Sequence, residues 1–189
     1  ERKDPRIKII NNDNRLDIAR CLNKGVGRAS SNIIARMDAD DISLPNRLDL
    51  QYKLIKSSKK IAVVGANIEI MDEAENEVAT RSYPTSSKKL KNCLFRYSPF
   101  AHPVVVFRKD MFEEVGGYDP KYSPTEDLDL WFRLGREHEF RSINKLLLKY
   151  RLSAKSSSHS IIRKLELLVF RIRFDAIVKY GYRPSLYDI

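Results

Sequence analysis

The sequence predicts an α/β domain, because short apolar runs typical of strands alternate with segments whose apolar residues recur every three or four positions. A length of 189 residues suits one domain, and 42% hydrophobic with 32% charged residues is typical of a globular protein with a buried core. We expect this domain to span residues 1–152, followed by a polar linker and an amphipathic helix in residues 153–189.

The first part of the chain predicts a strand, a helix and a second strand. Residues 6–10 indicate a short buried strand, and the polar residues 11–14 are of the types that begin helices. Helical spacing of apolar residues continues to about Arg28, and residues 32–37 are the second strand candidate. This order is typical of a parallel crossover unit.

The rest of the chain alternates in the same way. Strands are predicted at residues 61–71, 77–83, 102–107 and within 140–152, and a polar turn makes the first two a hairpin. Helices are predicted at residues 47–56, 86–95, 109–115, 126–135 and 161–180. Residues 153–160 are polar and predict a linker before the last helix.

The composition limits the class of protein. A net charge of +10 favours anionic partners, although a solvated basic surface explains the same excess. Cys21 and Cys93 match neither a disulfide framework nor a metal cluster, which indicates a reducing compartment and a cytoplasmic protein. No apolar run approaches the roughly 20 residues of a membrane-spanning helix, so the chain is not expected to cross a bilayer.

Three carboxylates, those of Asp38, Asp40 and Asp41, follow the second strand candidate. They repel one another unless a cation offsets their charge, and Mg²⁺ or Mn²⁺ fits because substrate phosphates can complete its oxygen shell. Open α/β sheets also bind ligands beyond the carboxyl ends of their strands. In the alternative, Asp41 caps the next helix and the other two are solvated turn residues.

A second acidic site lies in residues 125–131, where Glu126 and Asp127 precede Trp131. An acid beside an aromatic pocket can act as general base towards an attacking hydroxyl. Either acid can instead cap a helix, and Trp131 is either a flat platform for a sugar ring or a core side chain.

Several motifs in register resemble glycosyltransferase family 2, whose members have the GT-A fold. They are Asn23-Lys24-Gly25, residues 33–48 with Asp38-Ala39-Asp40, His102-Pro103, Gly116-Gly117-Tyr118-Asp119 and Thr125-Glu126-Asp127, and the resemblance extends from about residue 6 to about residue 152. It implies inverting transfer of a sugar from a nucleotide-sugar donor to a hydroxyl of a saccharide or lipid-linked acceptor, assisted by Mn²⁺ or Mg²⁺. The implied fold is a GT-A-like mixed sheet flanked by helices, with an additional C-terminal helix.

The resemblance also implies roles for the acidic residues. Asp38 and Asp40 match the family's DxD motif, so Asp40 would bind the metal at the donor diphosphate and Asp38 would lie near the ribose or in the metal shell. Asp127 matches the catalytic base, and Glu126 beside it would help to shape the acceptor pocket.

Three further residues are candidates for substrate contact. Arg36 would either approach the donor diphosphate or form a salt bridge under the sheet. His102 and Trp131 are placed on the acceptor side, although a lone histidine is more commonly a hydrogen-bonded structural residue.

The chain departs from the family at its start. The family's opening strand, helix and second strand, which hold the nucleotide base, have no counterpart ahead of residues 6–10. A sheet without them exposes an edge, which favours a homodimer, and a non-catalytic binding or assembly module is the alternative function. Nucleic acid is not an expected partner, because the acidic clusters would repel its phosphates. The basic helix at residues 161–180 either lies peripherally on the inner membrane face or packs back on the domain.

Overall fold

The computed structural model describes residues 4–152 and 159–184, and it confirms an α/β fold built on a mixed sheet. The strands are β1 (Ile33–Ala35), β2 (Ile42–Ser43), β3 (Ile61–Met71), β4 (Glu77–Arg81), β5 (Val106–Arg108) and β6 (Glu139–Arg151). The α-helices are α1 (Ile18–Arg28), α2 (Arg47–Lys56), α3 (Ser87–Cys93), α4 (Lys109–Glu114), α5 (Glu126–Glu137) and α6 (His159–Tyr180). Short 3-10 turns cover His102–Val104 and Pro120–Tyr122.

The sheet is centred on β3. Its strands lie in the order β1-β5-β3-β6-β2, and β4 pairs with the second half of β3. β3 and β6 run parallel, whereas every other strand pair in the described residues is antiparallel. The first eight residues of β3 are all buried. Burial on both faces explains why this strand is a continuous apolar run without alternation.

Residues 6–10 do not form the predicted buried strand. Ile7 is 72% exposed and Ile9 is 83% exposed, and no strand in the described part of the chain pairs with them. β1 instead pairs antiparallel with β5, with Ile34 opposite Phe107, so the predicted parallel crossover is also wrong. An apolar run becomes a strand only where a neighbouring strand satisfies its backbone hydrogen bonds.

Two other segments differ in detail from their predictions. α1 begins at Ile18, later than predicted, because the Asp17 carboxylate caps it by accepting from the Arg20 backbone N–H at 2.9 Å. Residues 102–107 divide into a 3-10 turn and the start of β5, since Pro103 lacks the N–H that a strand would use. The β3–β4 hairpin and α2 are confirmed as predicted.

The C-terminal helix packs back on the domain. Ile172 and Ala176 of α6 are fully buried against the core, and beyond the helix the Tyr182 hydroxyl donates to the Phe132 carbonyl oxygen at 2.9 Å. Most of the predicted linker, residues 153–158, lies outside the described residues. No helix in the described ranges is both long enough and apolar enough to cross a membrane.

Candidate active site

A cavity of about 320 Å³ opens between the end of β1 and the end of β4. Its lining includes Arg36, Asp38, Arg81, Tyr83, His102 and Tyr150. Asp38 and Arg36 come from the first acidic motif, and His102 comes from the 3-10 turn before β5. The fold thus brings together segments that are more than a hundred residues apart in the chain, from Arg36 to Tyr150.

The DxD residues form a turn between β1 and β2. Asp38 is half-buried and accepts a hydrogen bond from Arg36 Nη1 at 2.6 Å, so Arg36 is a salt-bridge partner in addition to lining the cavity. Asp40 is exposed at the turn. Two carboxylates at an open edge suit Mg²⁺ or Mn²⁺, which take a few protein carboxylates and complete their shell with phosphate oxygens.

Asp41 does not cap the following helix. The N-cap of α2 is Asn46, and Asp41 is buried, where its Oδ1 accepts from the Arg151 backbone N–H at 3.0 Å. Burial raises the pKa of Asp41 to about 6, and the charges of Asp38 and Asp40 act in the same direction. The Asp41 carboxylate therefore stabilises the turn from inside the protein, through its hydrogen bond with the Arg151 backbone.

A buried polar pair on α2 fixes the backbone around this turn. The Arg47 guanidinium donates to the carbonyl oxygens of Arg36 at 2.6 Å and Pro103 at 3.0 Å. Gln51, one helical turn later, accepts from Arg47 and donates to the carbonyl oxygen of Val104 at 2.7 Å. Neither residue was predicted from the sequence, although two polar residues at i and i+4 on a helix face that also carries the buried Ile55 were a usable signal.

The second acidic motif lies in the first turn of α5. Glu126 is buried, its Oε2 has no hydrogen-bond partner within the described residues, and burial raises its pKa to about 7. Asp127 is half-buried, and Ser98 Oγ donates to its Oδ2 at 3.5 Å. Burial also raises the pKa of Asp127 above its usual range. Both carboxyl groups are thus more ready to hold a proton than exposed acids are.

Arg36 connects the two acidic motifs. It is buried, pairs with Asp38, and its positive charge lowers the pKa values of Glu126 and Asp127 against the effect of burial. Asp127 in turn acts on Tyr83, which lines the cavity. Asp40, Glu126 and Asp127 are not among the residues that line the cavity, so the link between the two motifs is the charge of Arg36, which does line it. Within the described residues, no three His, Cys, Asp or Glu side chains gather as a metal cluster.

His102 and Trp131 have different surroundings. His102 lines the cavity, and its Nε2 lies 2.7 Å from the Tyr118 hydroxyl oxygen. Burial and the charge of Arg36 hold the pKa of His102 well below its usual value, so its ring is neutral at pH 7. Trp131 is 0% exposed and meets Phe100 and His102 edge to face. The predicted sugar platform at Trp131 is wrong, because no face of a fully buried ring is accessible, and the core alternative holds.

A known protein family matches the part of the chain that contains these motifs. The family model described as "Glycosyltransferase like family 2" matches residues 3–181. The chain belongs to glycosyltransferase family 2. This match covers the cavity, both acidic motifs and α6, and it confirms the resemblance drawn from the motifs.

Two relatives of this family 2 chain are named for O-antigen and amylovoran biosynthesis. The O-antigen biosynthesis glycosyltransferase WbnJ of Escherichia coli is 33% identical over 181 residues, which cover 90% of this chain and 66% of the relative. The amylovoran biosynthesis glycosyltransferase AmsE of Erwinia amylovora is 31% identical over 185 residues, with 95% of this chain and 68% of the relative covered. The family 2 chain thus spans about two thirds of the length of each of these relatives.

Solved structures share the fold of this family 2 chain. S. aureus TarS has a TM-score of 0.59 at 11% identity over 85% of this chain and 27% of TarS. TarS 1–349 in complex with UDP has a TM-score of 0.55 at 14% identity, with 86% of this chain and 47% of that chain covered. At these identities the likeness supports the fold, and it confirms the predicted GT-A-like sheet.

Proposed function

We propose that the protein transfers a sugar from a nucleotide-sugar donor to an acceptor hydroxyl during polysaccharide or glycoconjugate synthesis, as the names of its relatives suggest. The observation that carries the proposal is the cavity lined by the Arg36–Asp38 ion pair in a chain that matches the family model over residues 3–181. The UDP bound to TarS 1–349 supports a nucleotide-linked donor.

The chemistry follows from the positions of the acids. The Asp127 carboxylate would take the proton of the acceptor hydroxyl as that oxygen forms its bond to the anomeric carbon and the bond to the donor diphosphate breaks. A single displacement of this kind inverts the anomeric configuration. When bound, Mn²⁺ or Mg²⁺ would neutralise charge on the leaving diphosphate, with Asp40 and Asp38 as its ligands. Arg36 would shape the donor side of the cavity that it lines, whereas Glu126 is buried beside Asp127 and does not line it.

Metal-dependent nucleotide binding is the direct test of this proposal. Titration with UDP in the presence of Mn²⁺ is expected to show binding, and Asp40→Ala is expected to lower the affinity at least about tenfold because a metal ligand is lost. Asp49→Ala is the matched control, since Asp49 is an exposed aspartate on α2 that pairs with Lys53. Equal affinity in the Asp40 and Asp49 variants would contradict the assignment.

The alternative function is a non-catalytic binding or assembly module. β1 lies at the end of the sheet, and a cleft of about 570 Å³ beside it is lined by residues that include Ile9, Ile10 and Ile34. A second copy of the chain could pair there, so a homodimer stays a prediction. Turnover that depends on Asp127 would exclude the non-catalytic alternative.

We also propose that α6 lies on an anionic membrane surface, the inner face in a cytoplasmic setting, where a lipid-linked acceptor would be found. The face opposite the buried Ile172 and Ala176 is apolar and exposed; its residues are Leu167, Phe170, Phe174, Ile177 and Val178. Basic side chains lie on the same helix, namely Arg163, Lys164, Arg171, Arg173 and Lys179. Apolar anchors beside basic residues are the pattern of helices that bind anionic lipid headgroups.

Vesicle sedimentation tests this membrane contact. The protein is expected to bind vesicles that contain anionic lipid, and Phe170→Ser with Phe174→Ser is expected to weaken binding about tenfold or more as buried apolar area is lost. Val78→Ser, at an exposed apolar residue on β4, is the control. Equal vesicle binding by both variants would contradict the proposal, and so would a change of oligomeric state without vesicle binding, which would assign this face to a second copy.

A further inference from the structure

The C-terminal helix α6 carries a carboxylate on the face that packs on the domain. Ile172, Asp175 and Ala176 are all buried, and their spacing of three and four positions places them on one side of the helix. Asp175 is 6% exposed, and Lys179 Nζ donates to its Oδ2 at 2.9 Å. A charged group within an apolar helix face is costly unless hydrogen-bonding partners replace the water that it loses. The partners of Asp175 therefore show which part of the domain this face is built to contact.

The second partner of Asp175 is Tyr122, in the 3-10 turn that precedes α5. The Tyr122 hydroxyl donates to Asp175 Oδ2, and Tyr122 is 0% exposed. Burial and this hydrogen bond both raise the pKa of Tyr122, so its hydroxyl keeps its proton and acts as the donor. The contact joins α6 to the segment that leads into the second acidic motif, 53 positions earlier in the chain.

The backbone carbonyl of Tyr122 holds the start of α5. Its oxygen accepts from the Thr125 backbone N–H at 2.6 Å and from Thr125 Oγ1 at 2.8 Å. Thr125 is the N-cap residue of α5, and Glu126 and Asp127 are the first two residues of the helix. The N-cap residue fixes where the first helical turn begins. A short series of hydrogen bonds thus leads from α6 through Tyr122 to the residue that directly precedes both acids.

A second tyrosine connects the same two helices away from the acidic motif. The Tyr182 hydroxyl, just beyond α6, donates to the carbonyl oxygen of Phe132 at 2.9 Å, and Phe132 lies in the second half of α5. The chemistry of this contact resembles that of Tyr122, because each tyrosine hydroxyl donates one hydrogen bond across the packing of α6 on the domain. The two contacts differ in their distance along α5 from Asp127, so together they separate general docking of α6 from positioning of the acids.

We infer that Asp175 is a positioning residue, which acts through Tyr122 to fix the turn that sets Glu126 and Asp127 at the site. This inference rests on the proposed function, in which Asp127 is the base. A general base must lie within hydrogen-bond reach of the hydroxyl that it deprotonates, and a displacement of about 1 Å lowers rates by up to about a hundredfold. The helix α6 therefore contributes to the transfer step from outside the cavity.

Paired tyrosine substitutions test this role in steady-state sugar transfer. Tyr122→Phe is expected to lower kcat about tenfold and to leave the KM for the donor within about twofold, because the base moves and the donor cavity does not. Asp175→Asn should have the same effect, and the double variant should lose no more than either single variant, since both changes break one contact. Tyr182→Phe is the matched control and should keep kcat within about twofold. A kcat that falls equally in Tyr122→Phe and Tyr182→Phe, or in neither, would overturn the inference.

Amide hydrogen exchange gives a readout that needs no turnover. The Thr125 N–H donates to the Tyr122 carbonyl, so its exchange is expected to be about tenfold faster in Tyr122→Phe and Asp175→Asn and unchanged in Tyr182→Phe. Unchanged exchange in all three variants would overturn the inference even if kcat fell. If Asp127→Asn kept its activity, the proposed function of Asp127 would fail, and the exchange of Thr125 would still decide whether α6 orders the turn. The two failures are therefore distinguishable.

Discussion

Replacing Asp127 with asparagine is expected to lower the kcat/KM of sugar transfer about 10³-fold, in the range that general base catalysis contributes. Asparagine keeps the shape of the side chain but cannot accept the proton of the acceptor hydroxyl. The raised pKa of Asp127 makes the carboxylate a stronger base than an exposed aspartate, because burial disfavours its charged form. The measurement is steady-state transfer with saturating metal.

The fold should not suffer from this change. A carboxyl whose folded pKa lies above its unfolded value contributes stability at low pH that is lost as pH rises through the folded pKa. At neutral pH the ionised Asp127 therefore costs stability, and Asp127→Asn should unfold at the same temperature as the wild type or a higher one. Loss of activity together with loss of folding would point to a structural role instead.

The pH profile supplies a second readout for Asp127. The base works only when deprotonated, so activity is expected to rise with pH through a pKa above the usual aspartate value of 3.8. The asparagine variant should lack this acidic limb. An unchanged limb in the variant, or a variant that keeps more than about a tenth of the activity, would show that another group is the base.

The local sequence pattern was sufficient to predict the elements that are buried along most of their length or on one face. β3 was predicted from its apolar run and α2 from its spacing, because these signals come from the residues themselves. Residues 6–10 carry an equally apolar run, yet they are exposed, since strand formation depends on a partner that their own sequence does not specify. β1 does have such a partner, because it pairs with β5, which lies about seventy residues later in the chain.

The residues of the candidate site also fall into two groups, those that the local sequence pattern revealed and those that only the tertiary structure reveals. The acids of both motifs were visible in the sequence because several carboxylates beside apolar segments are unusual. Arg81, Ser98 and Arg47 were not, because each is an ordinary polar residue until the fold sets it against the cavity, against Asp127 or against backbone carbonyls. Their importance comes from tertiary neighbours, which no local spacing encodes.

Replacement of Trp131 distinguishes the two roles that the sequence left open for this residue, a platform for a sugar ring and a core side chain. Trp131→Ala is expected to lower the free energy of unfolding by about 4 kcal/mol, as deletion of a fully buried aromatic side chain does. Its ring is 0% exposed and lies 5.4 Å from Phe100, centre to centre. Trp131→Phe should lower the free energy of unfolding much less. It keeps most of the side-chain volume and removes an indole N–H that has no partner in the described residues.

The measurement should be chemical denaturation followed by circular dichroism, because the chain has 1 tryptophan and its fluorescence would disappear with the substitution. Phe170→Ala, at a residue that is 70% exposed on α6, is the control and should change stability by less than about 0.5 kcal/mol. A sugar platform would give the reverse result: Trp131→Ala would keep its stability and raise the KM for the acceptor. Trp131 also packs on His102, which lines the cavity. Activity should therefore be compared under conditions where every variant is folded, so that a displaced His102 is not mistaken for a lost sugar contact.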